Sequence, residues 1–414
     1  MEAPFFSIVI PTRNRYETLY HTIKTVLEQD FDSFELIVSD NSDLGYPGAE
    51  DLMNKIPAGQ NINYIRPPLV LSMSDHWEFA VSKCVGEFII IFGDDDGLVT
   101  GALTKIHDII SQTHAKLVSW ARVEYSWPDR LPVELANEIV IPYKANNGIM
   151  EAKDYIKKVV RYVGDYRYLP MFYNAAVNRS LVQLLKDRTG RVFSARSPDI
   201  YTGYAFAWLL QNYISVGYPL SINGVSSKSN GAAHYTNDNM GKADFVKLNQ
   251  TSSIKWPALL PEMYTGYLGI IEPFIQLSVY FPELKSYISR KGIYKILLKN
   301  LEATSKEDFD DKIKIILDSA KQDKKFHQWV SSYMEKEVCK YIPEKLSGLS
   351  KRIGFRGSHL TLDASRLGLN NVYDVSVFVG NLFGDLKECN YNEKAKPGLI
   401  KRIKKAAAFV LRGV

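Results

Sequence analysis

Along the first 110 positions, apolar residues alternate between continuous runs and helical spacing. Residues 5–10, FFSIVI, form a run that predicts a buried strand stopped by Pro11. Tyr16, Leu19, Ile23, Val26 and Leu27 then recur at helical spacing. Residues 34–39 predict a second strand ending at Asp40, and residues 62–66 a third, closed by Pro67 and Pro68. Met73, Trp77, Ala80 and Cys84 share a helical face until Gly86 breaks it. Residues 87–92 are a continuous apolar strand of the kind covered on both sides. That strand ends in Gly93-Asp94-Asp95-Asp96-Gly97, and Thr100 is placed to cap a helix carrying Leu103, Ile106, Ile109 and Ile110. Such alternation predicts an α/β fold with a mainly parallel, doubly wound sheet flanked by helices. Residues 116–125 and 171–177 are further strand candidates.

Past about residue 243 helical patterns dominate, as in Ile293 to Leu301, Lys312 to Ala320 and Phe326 to Tyr333. The expected division is a catalytic domain over 1–245, a mainly helical C-terminal domain over 246–395 and a basic amphipathic tail over 396–414. The tail carries six basic residues and no acidic one, with Leu399, Ile403, Ala407 and Val410 on one face. Such a helix suits an anionic membrane surface or docks on its own protein.

Length and composition narrow the class. A chain of 414 residues has room for two to three domains. With 46% hydrophobic and 23% charged residues it is an ordinary globular protein, neither collagen-like nor disordered. Lys plus Arg, 51, nearly balance Asp plus Glu, 46, which argues against a dedicated nucleic-acid binder. Cys84, Cys339 and Cys389 form no CxxC, so neither a zinc site nor a disulfide framework is expected, and a reducing compartment fits. With no signal-peptide pattern and no long apolar run, a cytoplasmic protein is expected, peripheral on the inner face of the membrane if the tail binds there.

In open α/β sheets ligands bind beyond the carboxyl ends of the strands, where Asp40 and the Asp94-Asp95-Asp96 run stand. Three adjacent carboxylates repel one another, and Mg²⁺ or Mn²⁺ would relieve this while bridging to substrate phosphates. The alternative is a solvated acidic turn. No GxGxxG follows the first strand, and GxxxxGK[ST], GxSxG and HExxH are absent.

Ser7-Ile8-Val9-Ile10-Pro11-Thr12-Arg13-Asn14-Arg15, with Leu19, Gln29 and Leu36-Ile37-Val38-Ser39-Asp40-Asn41-Ser42, resembles the opening of family 2 glycosyltransferases of the GT-A fold. Residues 86–96 resemble the strand leading into their DxD motif. The resemblance is strong over 5–110, weak over 110–235 and silent beyond. It implies a GT-A, Rossmann-like sheet and a nucleotide-sugar pocket lined by Pro11, Thr12, Arg13, Arg15 and Asn41, with Asp40 accepting a hydrogen bond from the base. The DxD register has two solutions. One aligns Gly93 with the first Asp, making Asp95 the prime metal ligand and Asp94 the ribose-side residue; the other pairs Asp94 with Asp96. Asp75, His76 and Glu78 stand on the helix before this motif, as nucleotide contacts or as a cap beside a core Trp77. Asp199, at the start of a later helix, is expected to be the base that deprotonates the acceptor in inverting members, or a helix cap. The small, polar stretch 224–234 would close over a diphosphate, bringing Lys228 or His234 to the leaving group, unless it is only a surface loop.

These features imply an inverting, Mn²⁺- or Mg²⁺-dependent glycosyltransferase moving a sugar from a nucleotide-sugar donor to a glycan or lipid-linked glycan acceptor. Bacterial surface polysaccharide synthesis is the setting the family suggests. An inactive scaffold of the same fold is the rival; a nucleotidyltransferase would want glycines in the loop PTRNR, which has none.

Overall fold

The computed structural model describes residues 3–47, 52, 55–56, 62–143, 147–229, 247–337 and 353–384. His234, Cys339, Cys389 and the tail 396–414 lie outside them. The expected opening is present: β1 (Phe6–Thr12), α1 (Tyr16–Leu27), β2 (Phe34–Asp40), β3 (Ile62–Ile65), α2 (Met73–Val81), β4 (Phe88–Ile91), β5 (Gly97–Leu98) and α3 (Ala102–Thr113). β3, β2, β1 and β4 lie side by side and parallel, with Ile8 opposite both Leu36 and Ile90. β1 runs through Pro11 instead of stopping there. The carbonyl of Val9 accepts from Phe92 on the β4 side, so the nitrogen of Pro11, two residues on, faces that side too. The β1–β4 register ends at Val9 opposite Ile91, so the missing N–H breaks no ladder bond.

The rest of the sheet is mixed. β6 (Leu117–Ser126), β7 (Glu138–Pro142), β8 (Gly148–Glu151), β9 (Ala175–Asn178) and β10 (Asn212–Val225) follow, with α4 (Ala152–Val160), α5 (Arg179–Thr189) and α6 (Pro198–Leu210) between them. β9 joins β4 to β6 antiparallel, and β10 pairs parallel with β6. β10 escaped the sequence pattern because register shifts around Pro219 break its alternation.

The C-terminal part is helical, as expected, through α7 (Gly266–Tyr280), α8 (Arg290–Lys299), α9 (Lys306–Ala320) and α10 (Lys324–Glu337). These helices extend the apolar layer formed by α2, α4 and α6 on one sheet face, around Phe206, Phe274 and Leu297. The chain then returns to the sheet. β11 (Gly354–Arg356) and β12 (His359–Asp363) extend it beyond β7, and α11 (Val372–Phe383) packs against α1 on the opposite face. Residues 354–383, expected within a separate domain starting at 246, thus extend the sheet and cover its opposite face. The Thr100 hydroxyl lies 3.4 Å from Ser376 of α11 and does not cap α3, whose N-cap is Gly101. Among the described residues no helix is long and apolar enough to cross a membrane.

Candidate active site

The acidic turn after β4 is held from three directions. The Thr22 hydroxyl of α1 lies 3.0 Å and 2.7 Å from the carbonyls of Asp94 and Asp96. The Trp127 indole N–H donates to the Asp95 carbonyl at 2.9 Å. β10 crosses so closely at Gly224 that a Cβ there would stand 1.7 Å from the same carbonyl, so only glycine fits.

The three carboxylates have different tasks. Asp96 turns back into the protein, with its two oxygens accepting from the N–H groups of Gly93 and Gly224, each at 2.7 Å. Burial and the Asp95 charge push it up to about 8. Asp94 faces the end of β1, where Thr12 donates to it at 2.6 Å and the Arg13 N–H at 3.4 Å. Burial raises it to about 6 against the pull of Arg15, and its Oδ1 lacks a hydrogen bond although the Arg15 guanidinium lies 3.0 Å away. Asp95 meets the strand-10 exit: its Oδ2 takes the Ser226 hydroxyl at 2.8 Å, the Ser229 hydroxyl, and Arg15 at 3.5 Å. Burial works against the charge on Arg15, but Asp94 and Asp95 more than compensate and keep it cationic.

Asp40 lies beside this cage and is fully buried. It accepts from Tyr16 at 2.7 Å, from Tyr64, from Arg66 at 3.0 Å and from the Ser42 N–H at 2.8 Å. Burial alone would raise its pKa; the hydrogen bonds from Ser42, Tyr64 and Tyr16 outweigh it and keep the group a carboxylate. Asn41 is likewise bound to both backbone groups of Leu71, each at 2.9 Å. These two residues brace the loops that shape the pocket. Arg13 reaches Asp43 at 3.2 Å, and Lys228 lies over the mouth, 3.4 Å from the Asn14 carbonyl and 3.3 Å from the Tyr46 hydroxyl. The helix before the motif is structural: Ser72 caps α2, Asp75 pairs with Arg191 at 2.7 Å, and Glu78 accepts from the N–H groups of Val192 and Phe193. Trp77 is core, and His76, bonded to Ser39 at 2.9 Å, is pushed down to about 4 by burial.

The far wall comes from β6 and α6. Asp199 sits in the first turn of α6, after Pro198, and Ser197 holds the N-cap position. Burial raises its pKa, against backbone N–H groups of that turn and the Arg122 charge. Tyr173 feels acids of both the β4 turn and α6: its phenol is held neutral by burial and by Asp96, Asp199 and Asp95 together. Arg122 has a side chain only 9% exposed, makes a long 3.9 Å ion pair with Glu124, and acts on both Asp96 and Asp199. Glu124 also accepts from Asn223 at 2.7 Å and faces Arg167 at 3.8 Å. Sequence reasoning missed Thr22, Trp127, Arg122, Glu124 and Tyr173. Each lies outside the acidic motif, and only the pairing of β6 with β10 and the packing of α1 bring them to it.

Among the described residues no three His, Cys, Asp or Glu side chains converge as a closed metal cage. The donor set suits an open site instead. Asp94 Oδ1 is an orphaned buried oxygen, the contacts to Asp95 fall on its Oδ2, and a guanidinium already sits where positive charge is needed. A hard divalent ion held by one or two carboxylates, with phosphates supplying the rest, fits that chemistry.

Residues 7–182 match the family model described as glycosyl transferase family 2. A curated relative is the GalNAc(5)-diNAcBac-PP-undecaprenol beta-1,3-glucosyltransferase of Campylobacter jejuni subsp. jejuni serotype O:2, 29% identical over 126 residues. That stretch spans 29% of this chain and only 39% of the relative. Among solved structures, S. aureus TarS 1–349 with UDP-GlcNAc aligns with a TM-score of 0.45 at 12% identity, over 76% of this chain and 79% of that one. The mannosyltransferase PcManGT of Pyrobaculum calidifontis, with GDP-Man and Mn²⁺, aligns with a TM-score of 0.38 at 14% identity, over 82% and 86%. The match to glycosyl transferase family 2 thus runs from β1 into α5 and includes the acidic turn.

Proposed function

We propose that the protein is an inverting glycosyltransferase that takes a sugar from a nucleotide-sugar donor and places it on a hydroxyl of a glycan or lipid-linked glycan. What supports this reading is the acidic run after β4, with Asp94 and Asp95 beside the Arg15 guanidinium, together with Asp199 in the first turn of α6, near enough to Tyr173 to act on it as Asp95 and Asp96 do. An inverting displacement needs an acid apart from that run, because the base must stand opposite the leaving group. The donor would enter at the carboxyl ends of β1 and β4, its nucleoside along Pro11, Thr12 and Arg13 and its diphosphate toward Arg15 and Lys228. Asp40 and Asn41 would hold the walls of that pocket. Asp95, assisted by Asp94, would hold Mn²⁺ or Mg²⁺, which when bound neutralises charge growing on the diphosphate. Asp96 keeps the turn in shape.

Asp199 takes the proton of the acceptor hydroxyl. Burial makes its carboxylate a stronger base than an exposed one, and the Arg122 charge opposes that rise. Ser226 and Ser229 tie the start of the 224–234 segment to Asp95, so donor arrival and loop position are coupled. The undecaprenol-linked acceptor named for the Campylobacter relative supports a lipid-linked acceptor and a role in surface-glycan synthesis. A catalytic unit over 1–245, completed by 354–383, with 246–337 as a helical buttress and 396–414 as a membrane-binding tail, agrees with this reading. A panel of nucleotide sugars with Mn²⁺ tests it: one donor should raise the melting temperature and be consumed with an acceptor present. If no donor is bound or turned over, the reading fails and the scaffold alternative takes its place.

A further inference from the structure

The outer surface of the helical layer carries lysines stacked on aromatic rings. On α4, Lys153 lies 5.9 Å from the Trp208 ring and Lys157 5.3 Å from that of Tyr287. Trp208 and Tyr287 themselves meet edge to face at 6.3 Å. The pattern resumes three residues on, where Arg290 lies 3.8 Å over Phe326, Lys291 5.4 Å from Trp329 and Lys295 5.5 Å from Tyr333. Those rings stack in series, Phe326 on Trp329 and Trp329 on Tyr333, each at 5.5 Å. Residues 285–299 include five lysines or arginines and no acidic residue. Acids are fewer than bases here: Asp154 is paired with Lys157 at 3.4 Å, Asp323 with Arg290 at 3.6 Å, Glu151 starts α4, and Glu335 and Glu337 stand at the end of α10. The ends of α4 present bare apolar side chains, Ile149 at 74% and Val163 at 77% exposure.

We propose that this face, α4 with α8 and α10, docks on an anionic phospholipid bilayer. Cationic groups over aromatic rings, flanked by exposed aliphatic tips, match a headgroup layer with acyl chain beneath it. Nucleic acid or an acidic protein would answer the charge but not Ile149 and Val163. The position also fits delivery of acceptor: Val163 is two residues from Asp165, whose salt bridge to Arg167 borders Glu124 and the Asp199 wall. Bilayer binding stands on the surface alone; delivery rests on the lipid-linked acceptor reading above.

The test is sedimentation of the full chain with phosphatidylcholine vesicles, with and without phosphatidylglycerol. Lys153, Lys157, Lys291 and Lys295 changed together to Glu should lower affinity for the anionic vesicles about tenfold or more. Added salt should weaken wild-type binding. Circular dichroism confirms that the variant folds, and the milder change of the four to Gln should give an intermediate loss. Turnover of a water-soluble acceptor should be unchanged in both variants. If they bind anionic vesicles like the wild type, the proposal is overturned and the tail 396–414 holds the membrane alone. Loss of a wild-type dimer in the variants, with no vesicle binding by the wild type, overturns it in favour of self-association. If the wild type binds vesicles but transfers no sugar, the transfer reading fails and the docking surface stands.

Discussion

The two walls of the pocket are built on opposite plans. At the β1/β4 wall, charge is answered by protein: Asp40 has four donors, Asp96 two backbone N–H groups, and Asp95 two serine hydroxyls. At the β6/α6 wall, side-chain contacts are sparse, and Asp199 is met by backbone N–H groups of its own turn. Asp199 has no side-chain hydrogen bond among the described residues, and Arg122 has only a long contact to Glu124. A wall tied down by many side-chain donors is already organised, while one held by fewer fixed side chains leaves its acid free to meet a ligand. The first suits a donor whose diphosphate must meet fixed charges. The second suits an acceptor that arrives, gives up a proton and leaves.

The sharpest way to break this contrast is Asp199→Asn. A base predicts a fall in kcat on the order of 10²–10⁴-fold with donor affinity unchanged, measured by steady-state kinetics and calorimetry. An acid that only complements the N-terminus of α6, whose N-cap is Ser197, predicts near-wild-type turnover. Stability should move the other way. The folded pKa of Asp199 is raised, so its stabilising contribution is present at low pH and lost as pH rises through that value. The melting temperature of the Asn variant should equal the wild type's in acid and exceed it at alkaline pH.

Asp95→Asn tests the other wall. Transfer should fall about 10²–10³-fold, donor binding should lose its dependence on Mn²⁺, and excess EDTA should bring the wild type to the same level. Full activity in EDTA would remove the cation from the mechanism. Gly224→Ala probes what joins the walls, since the new methyl would strike the Asp95 carbonyl. Thermal denaturation should show a loss of about 1–3 kcal/mol, with transfer reduced because the acidic turn shifts. The smallest effect is expected for Arg122→Gln. Removing a positive charge beside Asp199 raises the base's pKa, so the acid limb of the kcat/KM profile should move to higher pH while the plateau survives. A limb that stays in place would detach Arg122 from the base.

How much of this was readable in advance follows sequence distance. β1, α1, β2 and the strand into Asp94-Asp95-Asp96 are local patterns, and they stand where the sequence placed them. Asp199 stands in the first turn of α6, where an acid opening an apolar helix is a local signal too. The partners of Asp40 were hidden, since Tyr64 and Arg66 carry no mark of facing it until β3 pairs with β2. Thr100 looked like a helix cap because nothing local announces Ser376 as its neighbour. Trp127 and Gly224 were invisible for the same reason: their roles exist only once β10 is laid along β6.

The return of the chain to its own beginning has a kinetic consequence. α11 covers α1 across more than three hundred residues of sequence, with Ser376 donating to the Leu98 carbonyl at 2.6 Å and Val372 filling the space beside Gly97. During synthesis the N-terminal half emerges first, but the outer side of α1 stays bare until residues 372–383 clear the ribosome. The long loop that must close makes this a late, slow step. A nascent chain should therefore display the acidic turn well before its rear support arrives, and its exposed apolar α1 face is the stretch a chaperone would hold. A nick between α10 and β11 in the finished protein should leave two fragments clasped together rather than two free domains.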